Sequence, residues 1–195
     1  MNKPVNPLNW SRHPRIQRAA AVIRGGGVVA YPTESVWGLG CDPDNPRAVA
    51  YLLSLKHRSL SKGLILLAAH IDMLRPYLAG LDAAHIATMQ ASWPGPVTWL
   101  IPNNGTAPQW ISGGQTTLAV RVSAHPVAAG LSHALDSPIV STSANPQGLA
   151  PALNLTRVKV YFGDKVDDCT PGSVSKAAKP TEIRDLMSGA IVRSA

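Results

Sequence analysis

The stretch from Tyr31 to Lys62, with the apolar run just ahead of it, constrains the fold more than any other part of the chain. Gly26-Gly27-Val28-Val29-Ala30 reads as a Gly-started buried strand. Tyr31-Pro32-Thr33-Glu34-Ser35 ends that run with hydroxyls and one carboxylate. A helix follows over residues 46–55, with Val49, Leu52, Leu53 and Leu55 suited to packing on a sheet. Residues 63–68 form a second apolar strand. Strand, polar turn, helix and strand in this order belong to an α/β sheet, where polar turns at strand ends hold binding sites. Lys56, Arg58 and Lys62 fall within seven positions. That density of cations fits an anion, most simply a polyphosphate; a solvated basic loop is the alternative.

At 195 residues the chain has the length of one domain, 1–195, with residues 1–11 as a loose lead-in. Eighteen basic against eleven acidic residues leave a net charge of +7, which points to an anionic partner: nucleotide, RNA or both. Cys41 and Cys169 form no C-x-x-C pair, so no zinc site is implied, and a reduced, intracellular protein is the expectation. No apolar run approaches a membrane span, and residues 1–11 hold no apolar signal core. The cytoplasm is the expected compartment, with no membrane partner.

Taken in order, Ser11 is placed to cap a helix over residues 14–24, which Gly25-Gly26-Gly27 stops. Strands are expected at 28–31 and 36–40, where Gly38 and Gly40 permit close backbone approach or serve as turn residues. Helices are expected at 71–77, at 81–92 with Asp82 near its start, and at 126–135. Trp93-Pro94-Gly95-Pro96-Val97-Thr98-Trp99 sets a rigid turn before a strand at 97–101, and is either a ligand wall or a corner of the core. Residues 103–115 are polar and Gly-rich and read as a mobile loop, ahead of a strand at 116–122. Ile139-Val140 opens a short strand that runs into Ser141-Thr142-Ser143-Ala144-Asn145, read as a loop because Pro146 and Gly148 follow. A helix over 153–162 precedes a poorly packed tail after about Gly163, which ends in two strands, 180–185 and 190–193, paired across Ser188-Gly189.

Two further positions carry chemistry. Arg121 lies inside an otherwise apolar strand, and burying it unpaired is costly, so it binds a carboxylate ligand or pairs with an internal acid. The small hydroxyl residues at 141–143 leave backbone N–H groups free to hold a phosphate or carboxylate, unless they merely cap a helix. There is no nucleophile elbow, Walker A loop or G-x-G-x-x-G, and the six histidines are scattered without metal-ligand spacing. What remains is a basic cavity lined with hydroxyls. Such a site suits phosphoryl or nucleotidyl transfer, with Mg²⁺ carried by the nucleotide's own phosphates.

The ordered motifs resemble those of the YrdC-type threonylcarbamoyl-AMP synthases. They are Pro32-Thr33-Glu34-Ser35-Val36-Trp37-Gly38-Leu39-Gly40, the Lys56-x-Arg58 pair with Ser61-Lys62-Gly63, and Trp93-Pro94-Gly95-Pro96-Val97-Thr98. Leu118-Ala119-Val120-Arg121-Val122, Ser141-Thr142-Ser143-Ala144-Asn145 and Pro180-Thr181-Glu182-Ile183-Arg184-Asp185 complete the set. The resemblance implies the short, single-domain form: a twisted open mixed sheet with flanking helices around a large basic cavity. It implies that L-threonine, bicarbonate and ATP are joined into L-threonylcarbamoyladenylate with release of pyrophosphate, the first step of t⁶A modification at tRNA position 37. Threonine nitrogen attacks CO₂ or bicarbonate, and the carbamate oxygen then attacks the ATP α-phosphate.

By position, the resemblance assigns Thr33, Arg121, Ser141 and Thr181 to threonine. It assigns Lys56, Arg58, Lys62, Thr117, Ser143, Asn145 and Arg193 to ATP, with Lys56 and Arg58 catalytic. Trp37 stands where many members carry Tyr or Phe, and Glu182 departs from the usual Pro-Ser-Thr-Ile, which leaves the terminal contacts open. His70 falls near a site-lining position without a motif to fix it. Docking to the downstream threonylcarbamoyl transferase and contact with RNA are further partners this reading leaves open. The alternatives are a double-stranded RNA- or ribosome-binding protein without catalysis, motivated by the charge, and a carbamoyl-transfer domain working on another acceptor.

Overall fold

The structure, a computed structural model, describes residues 7–175 and 181–194. In chain order the elements are α1 (Pro7–Ser11), α2 (Pro14–Arg24), β1 (Val29–Pro32), β2 (Trp37–Gly40), α3 (Pro46–Lys56), β3 (Ile65–Ala68), α4 (Arg75–Leu78), α5 (Ala83–Ser92), β4 (Val97–Pro102), α6 (Gln109–Ser112), β5 (Thr117–Val122), α7 (Pro126–Leu135), β6 (Ile139–Ser143), α8 (Leu155–Phe162), β7 (Asp168–Cys169), β8 (Glu182–Asp185) and β9 (Ile191–Arg193). The strands join in the order β7-β1-β2-β6-β3-β5-β4-β8-β9. Pairs β1/β7, β3/β5 and β4/β8 are parallel and the other five antiparallel, so the sheet is mixed, open and flanked by helices, as the sequence implies.

Strand alternation decides what covers each face. Ala30, Leu39, Leu66, Val120 and Val140 point to one side, where they pack with Val49 and Leu52 of α3, Met89 of α5 and Trp93 and Trp99. Val29, Tyr31, Leu67 and Ile139 point to the other side and meet α2 and α7. The α2 residues that make this contact are Ile16, Ala19, Ala20 and Ile23, spaced as one helical stripe. Both Trp of the Trp-Pro-Gly-Pro turn are buried in the first core, which makes that turn a corner of the core. Cys41 and Cys169 are free thiols.

Several local expectations need correction. Residues 7–11 of the expected lead-in are helical, and α2 is capped by His13 Nδ1, which accepts from the N–H of Arg15, in place of Ser11. The expected helix over 71–77 is divided into a 3₁₀ turn, Ile71–Leu74, and α4, because Pro76 has no N–H to continue the first segment. The loop over 103–115 contains α6, held down by the buried Ile111 and by Trp110 Nε1 donating to the carbonyl of Pro43. The serine run is strand as far as Ser143, because β6 lies between β2 and β3 and both neighbours need its backbone groups. Among the described residues the tail is mostly exposed or half-buried, as read, but it is anchored by the buried Val166, Thr170, Thr181 and Leu186 and supplies β7, β8 and β9. Residues 176–180, which include Pro180 at the start of the expected strand over 180–185, lie outside the described residues.

Gly40 is needed for close approach. A Cβ there would lie 2.5 Å from the carbonyl oxygen of Val140 and 2.8 Å from Tyr31 Cε1, so Tyr31 crosses the sheet where β2 has no side chain. Gly40→Ala is expected to cost about 1–3 kcal/mol through overpacking between β1 and β6, read as a lower urea midpoint with an unchanged slope.

Candidate active site

The face that α2 and α7 cover is only half covered. Along β6 the residues on this face run Ile139, Ser141, Ser143; along β3 they run Leu67 and Ile65. Ile139 and Leu67 lie under the helices, whereas Ser141, Ser143 and Ile65 line a cavity of about 660 Å³. Thr117, Ala119 and Arg121 of β5, spaced two residues apart, continue its wall. The register sets small against large across the floor, with Ala119 and Ser141 flanking Ile65 and Gly38 opposite Ser143. Small side chains on adjacent strands leave the volume open.

The cavity gathers residues distant in sequence. Thr33 and Ser35 come from the β1–β2 turn, Arg58 and Lys62 from the segment after α3, Thr181 from the position just before β8 and Arg193 from β9. Of the eleven positions assigned from the sequence, nine line it: Thr33, Arg58, Lys62, Thr117, Arg121, Ser141, Ser143, Thr181 and Arg193. Lys56 and Asn145 are not among the lining residues. The Lys56 ammonium donates to the carbonyl of Ser143, to the carbonyl of Asn145 at 2.8 Å and to Asn145 Oδ1 at 3.4 Å. It thus grips from behind the turn that presents Ser143. Burial, aided by the nearby charge of Arg58, lowers the Lys56 pKa to about 8.

Arg121 is buried and pairs with an internal acid, one of the two roles the sequence allows. Its Nη2 pairs with Glu34 Oε2, and its Nε donates to the carbonyl of Gly95 at 3.2 Å. The other Glu34 oxygen accepts from Ser123 Oγ at 3.0 Å and from the N–H of Ala124 at 2.8 Å. Burial alone raises the Glu34 pKa, but the charge and hydrogen bond of Arg121 and the N–H of Ala124 outweigh it and hold the carboxyl below its ordinary value. Arg121 still lines the cavity despite this pairing. Arg193 is fixed on Thr181, donating from Nη2 to its carbonyl at 2.8 Å and to its Oγ1 at 3.0 Å, and burial followed by the charge of Arg121 lowers its pKa.

Arg58 is half-buried and donates to the carbonyl of Gly63 at 3.0 Å, and burial lowers its pKa. Gly63 precedes by four residues Leu67, the β3 partner of Arg121. Arg58 is thereby held ahead of the start of β3, whereas Arg121 lies opposite Leu67 near its end. Glu182 turns away from the cavity and pairs with Arg184, while Thr181 and Ile183 on either side line it, so the departure at Glu182 spares the lining. His70 is outside the lining, its ring tilted against that of His133 with the centroids 5.2 Å apart. Sequence reasoning placed Ser35 and Thr142 in binding segments without assigning either a ligand, and missed Gln115 as a lining residue and Glu34 as the partner of Arg121. Glu34, the one carboxylate in the first polar turn, was the available signal; Gln115 had none, since it lies in a stretch read as loop.

The Sua5_yciO_yrdC family, described as "Telomere recombination", matches residues 21–195. The threonylcarbamoyl-AMP synthase of Halorhodospira halophila is 55% identical over 179 residues, covering 92% of this chain and 94% of that protein. The threonylcarbamoyl-AMP synthase of Cellvibrio japonicus is 50% identical over 186 residues, covering 95% and 98%. Among solved structures, P. abyssi Sua5 complexed with L-threonine superposes with a TM-score of 0.83 at 31% identity. That match covers 88% of this chain and 51% of Sua5, so the chain spans about half of that protein's length.

Glu34 sets an acid limit on stability. Its folded pKa lies below the unfolded value of about 4.3, so its contribution is complete above that value and is lost as pH falls through the folded pKa. Glu34→Gln is expected to flatten the loss of stability below about pH 5. At pH 7 it is expected to cost about 3–5 kcal/mol by leaving Arg121 charged and unpaired. Urea unfolding of both proteins across the acid range measures both effects.

Proposed function

The chain belongs to the Sua5/YciO/YrdC family, and from that premise we propose that it is a threonylcarbamoyl-AMP synthase. It joins L-threonine, bicarbonate and ATP into L-threonylcarbamoyladenylate and releases pyrophosphate. The observation that carries this reading is a hydroxyl-lined cavity with a fixed guanidinium, Arg121, at one end and Arg58 and Lys62 at the other. One end suits a carboxylate and the other a polyphosphate.

On this reading the threonine carboxylate meets Arg121, with Thr33, Ser141 and Thr181 around it. Arg58 and Lys62 take the phosphates and offset the charge that builds on departing pyrophosphate. Thr117, Ser143 and Arg193 border the nucleotide, and Lys56 and Asn145 act by holding Ser143 in place. Among the described residues no carboxylate lines the cavity, so Mg²⁺ entering with ATP would keep phosphate oxygens and water as ligands. The threonine amine, as the free base, adds to CO₂, formed from bicarbonate with loss of water, and gives up a proton to leave a carbamate; the carbamate oxygen then displaces pyrophosphate at the α-phosphate. Positioning and charge supply the catalysis.

No helix of the described residues is long and apolar enough to cross a membrane. The cytoplasm, where ATP and tRNA meet, is the compartment this function implies. Contact with RNA or with a downstream transferase is a separate proposal, supported by the net charge of +7 and readable as steeply salt-dependent binding.

Pyrophosphate release from ATP is expected to require both threonine and bicarbonate. Release indifferent to threonine would redirect the search to another carbamoyl acceptor. Arg58→Ala is expected to raise the KM for ATP about 10–100-fold, the cost of a charge-assisted hydrogen bond, and to leave the KM for threonine within about threefold. Thr33→Val and Arg121→Ala are expected to show the reverse pattern. Equal damage to both substrates in all three folded variants would contradict the division of the cavity.

A further inference from the structure

Accepting the synthase reading, the cavity must sort two anions, a single carboxylate and a polyphosphate. Coulomb attraction alone sends both to every cation, and more strongly for the polyphosphate, because the energy scales with ligand charge. Among the described residues, four cations line the cavity, Arg58, Lys62, Arg121 and Arg193, and no aspartate, glutamate or histidine does. Among the described residues, the carboxylate paired with one of these four cations is Glu34, on Arg121.

We propose that Glu34 is a specificity-determining positioning residue, which neutralises Arg121 so that this end of the cavity accepts a single carboxylate and refuses a polyphosphate. The geometry does this in two ways. Nη2 and Nε of Arg121 are committed to Glu34 and to the carbonyl of Gly95, so the guanidinium can offer a ligand only what these bonds leave. The paired charges also cancel at a distance, which removes the long-range pull on a polyphosphate and keeps a contact hydrogen bond for a carboxylate. Glu34 is fixed independently of any ligand by Ser123 Oγ and the N–H of Ala124.

Arg193 lies close enough to Arg121 for the two charges to repel. Without Glu34, Arg121 would add its charge to that of Arg193 on the nucleotide border, and the two would rival Arg58 and Lys62 for a polyphosphate. Among the described residues no carboxylate pairs with Arg58, Lys62 or Lys56. The charge asymmetry of the cavity therefore rests on one acidic side chain.

The test is calorimetric titration of the full chain with magnesium-free inorganic pyrophosphate and with L-threonine, for wild type, Glu34→Gln and Glu34→Asp. Wild type is expected to bind one pyrophosphate, and saturating pyrophosphate is expected to leave the threonine Kd within about twofold. Glu34→Gln is expected to gain a second pyrophosphate site and to show an apparent threonine Kd at least about tenfold weaker in its presence. Glu34→Asp, which keeps the charge, is expected to behave as wild type. Mutual exclusion in wild type, one site in a folded Glu34→Gln variant, or equal behaviour of the Gln and Asp variants would each overturn the proposal. If Glu34→Gln does not fold, the wild-type titration decides alone, since independent binding upholds the proposal and exclusion ends it. A wild-type protein that binds pyrophosphate but no threonine would instead count against the synthase reading, while the pyrophosphate stoichiometries would still report the charge sorting.

Discussion

A guanidinium inside a β-sheet is tolerated only with a counter-charge and acceptors for its N–H groups, and much of this structure follows from meeting that need for Arg121. The counter-charge is Glu34, from the turn after β1; one acceptor is Gly95, from the turn before β4; and Glu34 is braced by Ser123 and Ala124 beyond the end of β5. Two chain segments distant in sequence are thereby tied to one side chain. Removing one partner of a buried pair costs about 3–5 kcal/mol, a large share of a stability of about 5–15 kcal/mol. The interaction that shapes the cavity thus also bears on whether the protein folds.

A second buried cation works differently. Lys56 ends α3 and reaches the carbonyls of Ser143 and Asn145, so its partners are backbone dipoles with no formal charge. Its depressed pKa is the signature of that environment. The two cations occupy contrasting settings, one balanced by a carboxylate and one by carbonyls, and the hydroxyl-lined floor lies between the turns they fix.

The element order and the strand–turn–helix rhythm were legible in the sequence because apolar alternation and Pro or Gly punctuation survive in it. Residues 14–24 and 126–135 are helical as read, since each has Pro at its first position and a clear end. The errors lie where tertiary partners override local pattern. Ser141-Thr142-Ser143 looks like a loop until two flanking strands claim its backbone, and 109–112 looks like a loop until Ile111 finds the core. Most of the cavity residues were legible because hydroxyls and cations following apolar strands are unusual. The partnership of Arg121 with Glu34 spans 87 positions, and no local pattern reports a contact of that range. The placement of Lys56 behind the wall was illegible for the same reason: its position marks a cation, and only the packing says which way it points.

The walls of the cavity differ in how firmly they are anchored. The floor strand β6 is hydrogen-bonded on both sides near the middle of the sheet, whereas Arg193 belongs to β9, the last strand of the order, which is exposed throughout. Local opening free energies follow such differences, from near zero at frayed edges to the global value in central strands. Under gentle warming the terminal hairpin would part from the sheet first, taking Thr181 and Arg193 with it while the floor kept its shape. Affinity would then fade well below the temperature at which the protein as a whole unfolds, so the melting point of this chain would overstate the range over which its site exists.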